Sequence, residues 1–178
     1  MGQSGGKMGK QVKTYKIEKL RIEDIKPYPH NPRTHTREQI EKIARNIKEF
    51  GFYAPVVVDK DNVLIIGHAR LEAMKLLGEE YIPAVRIEDL TEAQVRALRI
   101  ADNRLTDLSG WDFYYLAQEL SAIAEEIDAT LTGFDASEID HYVKVFDYHP
   151  DIKKSREEKA KKIKVKCPAC GHEFEIEI

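Results

Sequence analysis

The sequence predicts an α+β fold, and three observations carry that prediction. Short apolar runs bounded by turn residues fall at Pro55–Asp59, Val63–Ile66 and Pro83–Ile87, and read as strands. Apolar residues at helical spacing dominate from Thr91 onward, so strands precede the later helices. Between the two regimes lies Val63–Gly78, VLIIGHARLEAMKLLG, a strand, a glycine turn and a helix in one stretch.

In chain order, residues 1–13 are rich in Gly, Lys and Ser and are expected to be disordered. Tyr15, Ile17, Leu20, Ile22 and Ile25 mark a first strand and its exit. Lys26–His35 contains three prolines, which forbid a helix and predict a stiff extended loop carrying His30, Asn31, Arg33 and His35. Thr36 with Gln39 reads as a capping box, opening a helix through Ile40, Ile43, Ala44, Ile47 and Phe50 that ends at Gly51. Asp59–Asn62 joins two strands as a hairpin turn. In the central helix Leu71, Met74 and Leu77 share a face, and Gly78 stands at the C-cap. Thr91 and Gln94 cap the next helix, with an expected apolar face of Val95, Leu98, Ala101 and Leu105. Gly110 breaks it. Two further amphipathic segments follow, Trp111–Ile127 and Ser137–Phe146.

From Asp151 the chain becomes Lys-rich and reads as a solvated linker, with a basic arm near nucleic acid as the alternative. The end alternates apolar residues around Cys167-Pro168-Ala169-Cys170-Gly171-His172. Two thiolates two residues apart suit a zinc knuckle, with His172 as a third ligand. The remainder of a tetrahedral site is expected from His149, His141, a second subunit or a partner, so the half site invites a homodimer. A thioredoxin-type redox pair fits less well, because no βαβ pattern surrounds it.

Hydrophobic residues make up 42% and charged residues 33% of 178, with net charge −3, which fits a soluble domain and supplies no overall basic field. No apolar run approaches the ~20 residues of a bilayer span, so no membrane partner and a cytoplasmic setting are expected.

The chemistry centres on the glycine turn. A glycine opening a helix leaves several backbone amides unpaired, and the helix dipole adds to them, so the place favours phosphate. Arg70 sits in the first helical turn, where a cation opposes the dipole, and a bound anion would explain it. His68 adds a polar group at the same mouth. An ordinary strand-to-helix turn with a solvated arginine satisfies the same spacing.

Three patches then resemble one family. IEDIKPYPHNPRTH, VLIIGHARLEAMKLLG, and ALRIADNRL followed by GWD are similar, in content and order, to the N-terminal domain shared by ParB-like partition proteins and sulfiredoxins. The likeness is strongest to stand-alone ParB-like proteins found beside DNA methyltransferases, and Thr130–Phe134 and the CPxCG-type tail extend it. The resemblance implies a ParB/sulfiredoxin-like small mixed sheet with helices and a nucleotide domain over 14–110. A helical extension at 111–147, a linker at 148–164 and a half zinc-ribbon tail at 165–178 complete the expected organisation. It also implies a nucleoside triphosphate, CTP or ATP, with Mg²⁺.

The family's Gly-x-x-Arg motif falls on Gly67, His68, Ala69 and Arg70, and its Pro/Asn/Arg loop on Asn31, Pro32 and Arg33. Its acid–Asn pair falls on Asp102 and Asn103. Arg104 follows at once, whereas the partition pattern has its arginine where Thr106 stands. Sulfiredoxin chemistry needs a cysteine in the central turn, and none is there.

The expected function is a nucleotide-binding module working with DNA or a DNA-modifying protein. The alternatives are a small-molecule kinase similar to free-serine kinases, with His30, His35 or His68 as base and Glu72 behind them, and a ParB-type nuclease.

Overall fold

The computed structural model describes residues 12–148, 162–166 and 173–177. The chain divides into two compact units, Met1–Ser109 and Gly110–Ile178.

The first unit is built on a four-stranded mixed sheet in the order β1-β4-β2-β3. Its strands are β1 (Ile17–Arg21), β2 (Val56–Asp59), β3 (Leu64–Ile66) and β4 (Tyr81–Ile87). β4 lies antiparallel to β1 and parallel to β2, and β2 forms the expected hairpin with β3. The turn of that hairpin is held by Asp59, whose carboxylate accepts from the amides of Asp61 and Val63, both at 2.8 Å. The fold is thus the mixed α+β arrangement anticipated from the order of elements. β4 begins two residues earlier than the apolar run predicts. Tyr81 and Ile82 pair with β1, and the parallel partner β2 starts only opposite Ala84, so Pro83 has no β2 residue beside it.

Three helices flank this sheet: α1 (Arg37–Phe50), α2 (His68–Leu76) and α3 (Glu92–Asp107). Val56, Val58, Leu64, Leu71, Met74, Ile82 and Ala84 form the core with Ile22 and Ile25. Alternate residues of β2 point inward, as the period-two pattern requires. α1 packs on α2, and α3 on β3. α2 ends in a Schellman turn: the amide of Gly78 donates to Lys75 and that of Glu79 to Met74, with Gly78 left-handed at φ 75°.

The two capping boxes differ. At α3 both arms form, the Gln94 amide donating to the Thr91 hydroxyl and the Thr91 amide to the Gln94 side chain. At α1 the Thr36 hydroxyl accepts from the Gln39 amide, but the Gln39 side chain turns to His35 instead. Of the apolar face expected of α3, Val95, Leu98 and Ala101 are half-buried and Leu105 is not. Leu105 is 67% exposed, and the buried residue of this helix is Arg99.

The second unit contains α4 (Phe113–Glu126), capped by Asp112, a 3₁₀ turn at Ala129–Thr132, and α5 (Ala136–Tyr148). Leu116, Leu120, Ala129 and Ile139 form its core, with Ile123, Phe134, Tyr142 and Val143 around them. The Phe113 and Tyr142 rings stack at 5.6 Å. β5 (Lys162–Lys166) and β6 (Glu173–Glu177) pair antiparallel. The zinc candidates Cys167, Cys170 and His172, with His149, lie outside the described residues.

Candidate functional site

The site is built where β3 runs into α2. Gly67 is the N-cap of α2 and adopts φ 99°, ψ 30°, a left-handed conformation that disfavours side chains. Space forbids a side chain as well. A Cβ there would lie 2.8 Å from Val56 Cγ1, 3.1 Å from Arg70 Nη2 and 3.2 Å from Arg70 Nε. Glycine offers no capping side chain, so the amides that open α2 keep their donors for another acceptor. The Arg70 guanidinium therefore folds back over the turn instead of extending into solvent.

The polar atoms around the turn are incompletely matched. Among the described residues, the buried side-chain atoms without a hydrogen-bond partner are His68 Nε2, Arg70 Nε and Arg99 Nε. Two of them are on the turn itself. The third belongs to α3, which packs on β3. Buried polar atoms are normally paired, so these three are exceptions.

Electrostatics agree. Burial, then the charge of Arg99, then His35, push the His68 imidazole down to about 4, with Glu72 opposing them. His68 is therefore neutral at pH 7. Burial also pulls Arg70 below its usual value, against the attraction of Asp102 and Tyr53.

The loop arm is ordered by its own side chains. Asn31 Nδ2 donates to the Arg33 carbonyl at 2.8 Å, and Arg33 Nη1 donates to Asp107 Oδ2 at 2.8 Å. His35 Nδ1 lies 3.1 Å from Gln39 Oε1. His30 meets the edge of Tyr28, with ring centroids 5.9 Å apart. Glu72 pairs with Lys75 at 2.8 Å. Asn103 donates to the Arg99 carbonyl one helical turn back, at 2.9 Å. Ala69 is buried, while Asp102 and Arg104 are exposed on α3.

The structure thus brings His35, Glu72 and Arg99 within electrostatic reach of His68, and Asp102 within reach of Arg70. His30 contacts Tyr28, the ring on which Arg99 stacks. Among the described residues no group of three or more His, Cys, Asp or Glu is arranged to hold a metal ion. Arg99 is the residue that sequence reasoning passed over. Its only signal there was its place in ALRIADNRL, three residues before Asp102.

The ParB N-terminal domain profile matches residues 6–104, more than half of the chain. This chain belongs to the ParB N-terminal domain family. The domain is 37% identical over 82 residues to the ParB-like nuclease domain-containing protein YnaK of Escherichia coli, covering 43% of this chain and 94% of that protein. It is 39% identical over 88 residues to the probable chromosome-partitioning protein ParB of Campylobacter jejuni, covering 47% of this chain but 31% of that one. The chain therefore spans nearly all of one curated relative and about a third of the other. Among solved structures, the C-terminally truncated chromosome-partitioning protein ParB from Caulobacter crescentus, complexed with CTP-γ-S, superposes with a TM-score of 0.63. That match covers 82% of this chain and 88% of the other, at 20% identity, and shows the shared fold. Among the described residues no helix is long and apolar enough to cross a membrane.

Proposed function

We propose that the ParB N-terminal domain of this chain binds a nucleoside triphosphate at the Gly67 turn and works with DNA or a DNA-modifying partner. One observation carries this reading: the buried nitrogens His68 Nε2 and Arg70 Nε have no partner at a glycine turn that opens a helix, and Arg99 Nε on α3 has none either. Unpaired amides and a guanidinium at a helix N-terminus favour a polyphosphate over a neutral ligand. The Caulobacter neighbour with the same fold holds CTP-γ-S, which supports CTP as the first ligand to test.

In this reading Arg70 and the opening amides of α2 hold phosphate oxygens. Neutral His68 donates or accepts one hydrogen bond without adding charge. Arg33 adds a second guanidinium from the loop. Asp102, whose charge reaches Arg70, and Asn103 beside it in sequence would take Mg²⁺ or ribose. The test is a thermal-shift series with CTP, ATP, GTP and UTP, with and without Mg²⁺ and duplex DNA. A ligand present at about 100 times its Kd stabilises by roughly 2.7 kcal/mol. Arg70→Ala is expected to remove most of that shift. An undiminished shift in Arg70→Ala would show that the ligand sits elsewhere.

A further inference from the structure

We propose that Arg99, delivered by α3 and aimed by the ring of Tyr28, is a phosphate-binding residue of this site. This rests on the Gly67 turn being a polyphosphate seat, and extends that seat to a helix that the turn sequence does not include.

The argument begins with a charge in the wrong place. Arg99 is 3% exposed, and a guanidinium stays ionised under all ordinary conditions. A buried charge normally has a carboxylate against it. Among the described residues none stands within ion-pairing distance of Arg99. Asp59, whose charge reaches it, uses Oδ1 to accept from the amides of its own turn. Arg99 is held instead by two weak neighbours. Nη2 donates to the Leu64 carbonyl at 3.3 Å, and the guanidinium carbon lies 3.6 Å from the centroid of the Tyr28 ring. A planar cation stacked on an aromatic face has its orientation fixed, and here its Nε is left buried with no acceptor.

Position supplies the second half. Leu64 opens β3, and β3 ends immediately before Gly67. The charge of Arg99 is felt at His68. Beside it lies a cavity of about 510 Å³ lined by Tyr28, Arg96 and Arg99 but also by the carboxylates Asp59, Asp61, Glu88 and Glu92, and no residue of the Gly67 turn lines it. A phosphate chain seated on the turn and reaching Arg99 would pair the unmatched charge and tie α3 to the end of β3.

The competing explanation is a rivet: Arg99 merely fastens α3 to the Leu64 carbonyl. Calorimetric titration of the full chain with CMP, CDP and CTP, and with ATP, separates the two. A phosphate ligand predicts that Arg99→Met weakens triphosphate binding roughly ten- to a hundred-fold and monophosphate binding less. Arg99→Lys, which keeps the charge and the fold, should recover part of the loss. Tyr28→Phe should bind as the parent does, because a phenyl face stacks equally, and Tyr28→Leu should weaken the triphosphate. Arg99→Met with a lowered Tm and parental affinity for all ligands would establish the rivet and overturn the proposal. So would Arg99→Lys and Tyr28→Leu with unchanged affinity, should Arg99→Met fail to fold. A parent chain that binds none of the nucleotides would remove the polyphosphate reading itself, and the role of Arg99 with it.

Discussion

Arg33 Nη1 donates to both carboxylate oxygens of Asp107, at 3.1 and 2.8 Å, and so joins the proline-rich loop to the last residue of α3. The hydrogen bond from Arg33, set against a smaller desolvation, holds the Asp107 carboxyl below its usual range. Asp107 is poorly placed on local grounds, since an acid at a helix C-terminus opposes the dipole. Its partner is one of the guanidiniums that the nucleotide reading assigns to phosphate. The two acceptors then compete for one donor. Exposed ion pairs are weak, and these side chains are 42% and 45% exposed. Asp107→Asn is therefore expected to leave thermal stability nearly unchanged and to raise triphosphate affinity by a factor of about two to five. Arg33→Ala should lower affinity, and adding Asp107→Asn to it should change nothing more. A double-mutant cycle by calorimetry checks this, and simple additivity of the two effects would rule out the competition.

Gly67 and Gly78 both have positive φ, at 99° and 75°, but differ in surroundings. Gly78 has open space where a Cβ would go, and Gly67 has Val56 Cγ1 at 2.8 Å. Val56 is fully buried in the core and cannot yield without moving its strand. Gly78→Ala is expected to cost about 1 kcal/mol, the backbone term alone. Gly67→Ala should cost roughly 2–4 kcal/mol, because the clash adds to the strain. Urea unfolding of the two variants gives the difference. Equal losses would mean that the core accommodates the methyl group.

What the sequence made legible follows the range of the interactions involved. Caps, the hairpin and the glycine turn are local, and Thr91 with Gln94, Asp59 with Val63, and Gly67 with Arg70 were readable from neighbours in the chain. The capping box at Thr36 was only half right, because His35 competes for the Gln39 side chain. Arg99 was not readable as part of the site. Its environment is made by Tyr28 and Leu64, far away in sequence, and helical periodicity alone placed the buried stripe on Val95, Leu98, Ala101 and Leu105. The pairing of Arg33 with Asp107 is hidden for the same reason, being a contact across 74 residues.

His68 gives the stability a pH signature whose sign can be worked out. Its folded value is about 4, against the ordinary 6.5 of the unfolded chain. Between these values the unfolded state holds a proton that the folded state refuses. Stability therefore rises with pH across that window and is lost as pH falls from 6.5 toward 4. The imidazole is only partly buried, so the contribution should be on the order of 1–2 kcal/mol, well short of what full burial would give. His68→Gln keeps a polar side chain that cannot titrate. Its stability curve should run flatter than the parent's from pH 6.5 to 4 and coincide in shape above pH 7. Bound polyphosphate should raise the imidazole value toward 6.5, since a negative charge favours the protonated ring. Proton NMR titration of His68 with and without CTP reads this directly. A value near 6.5 in the free protein would show that the ring is solvated and that its place at the turn has no electrostatic consequence.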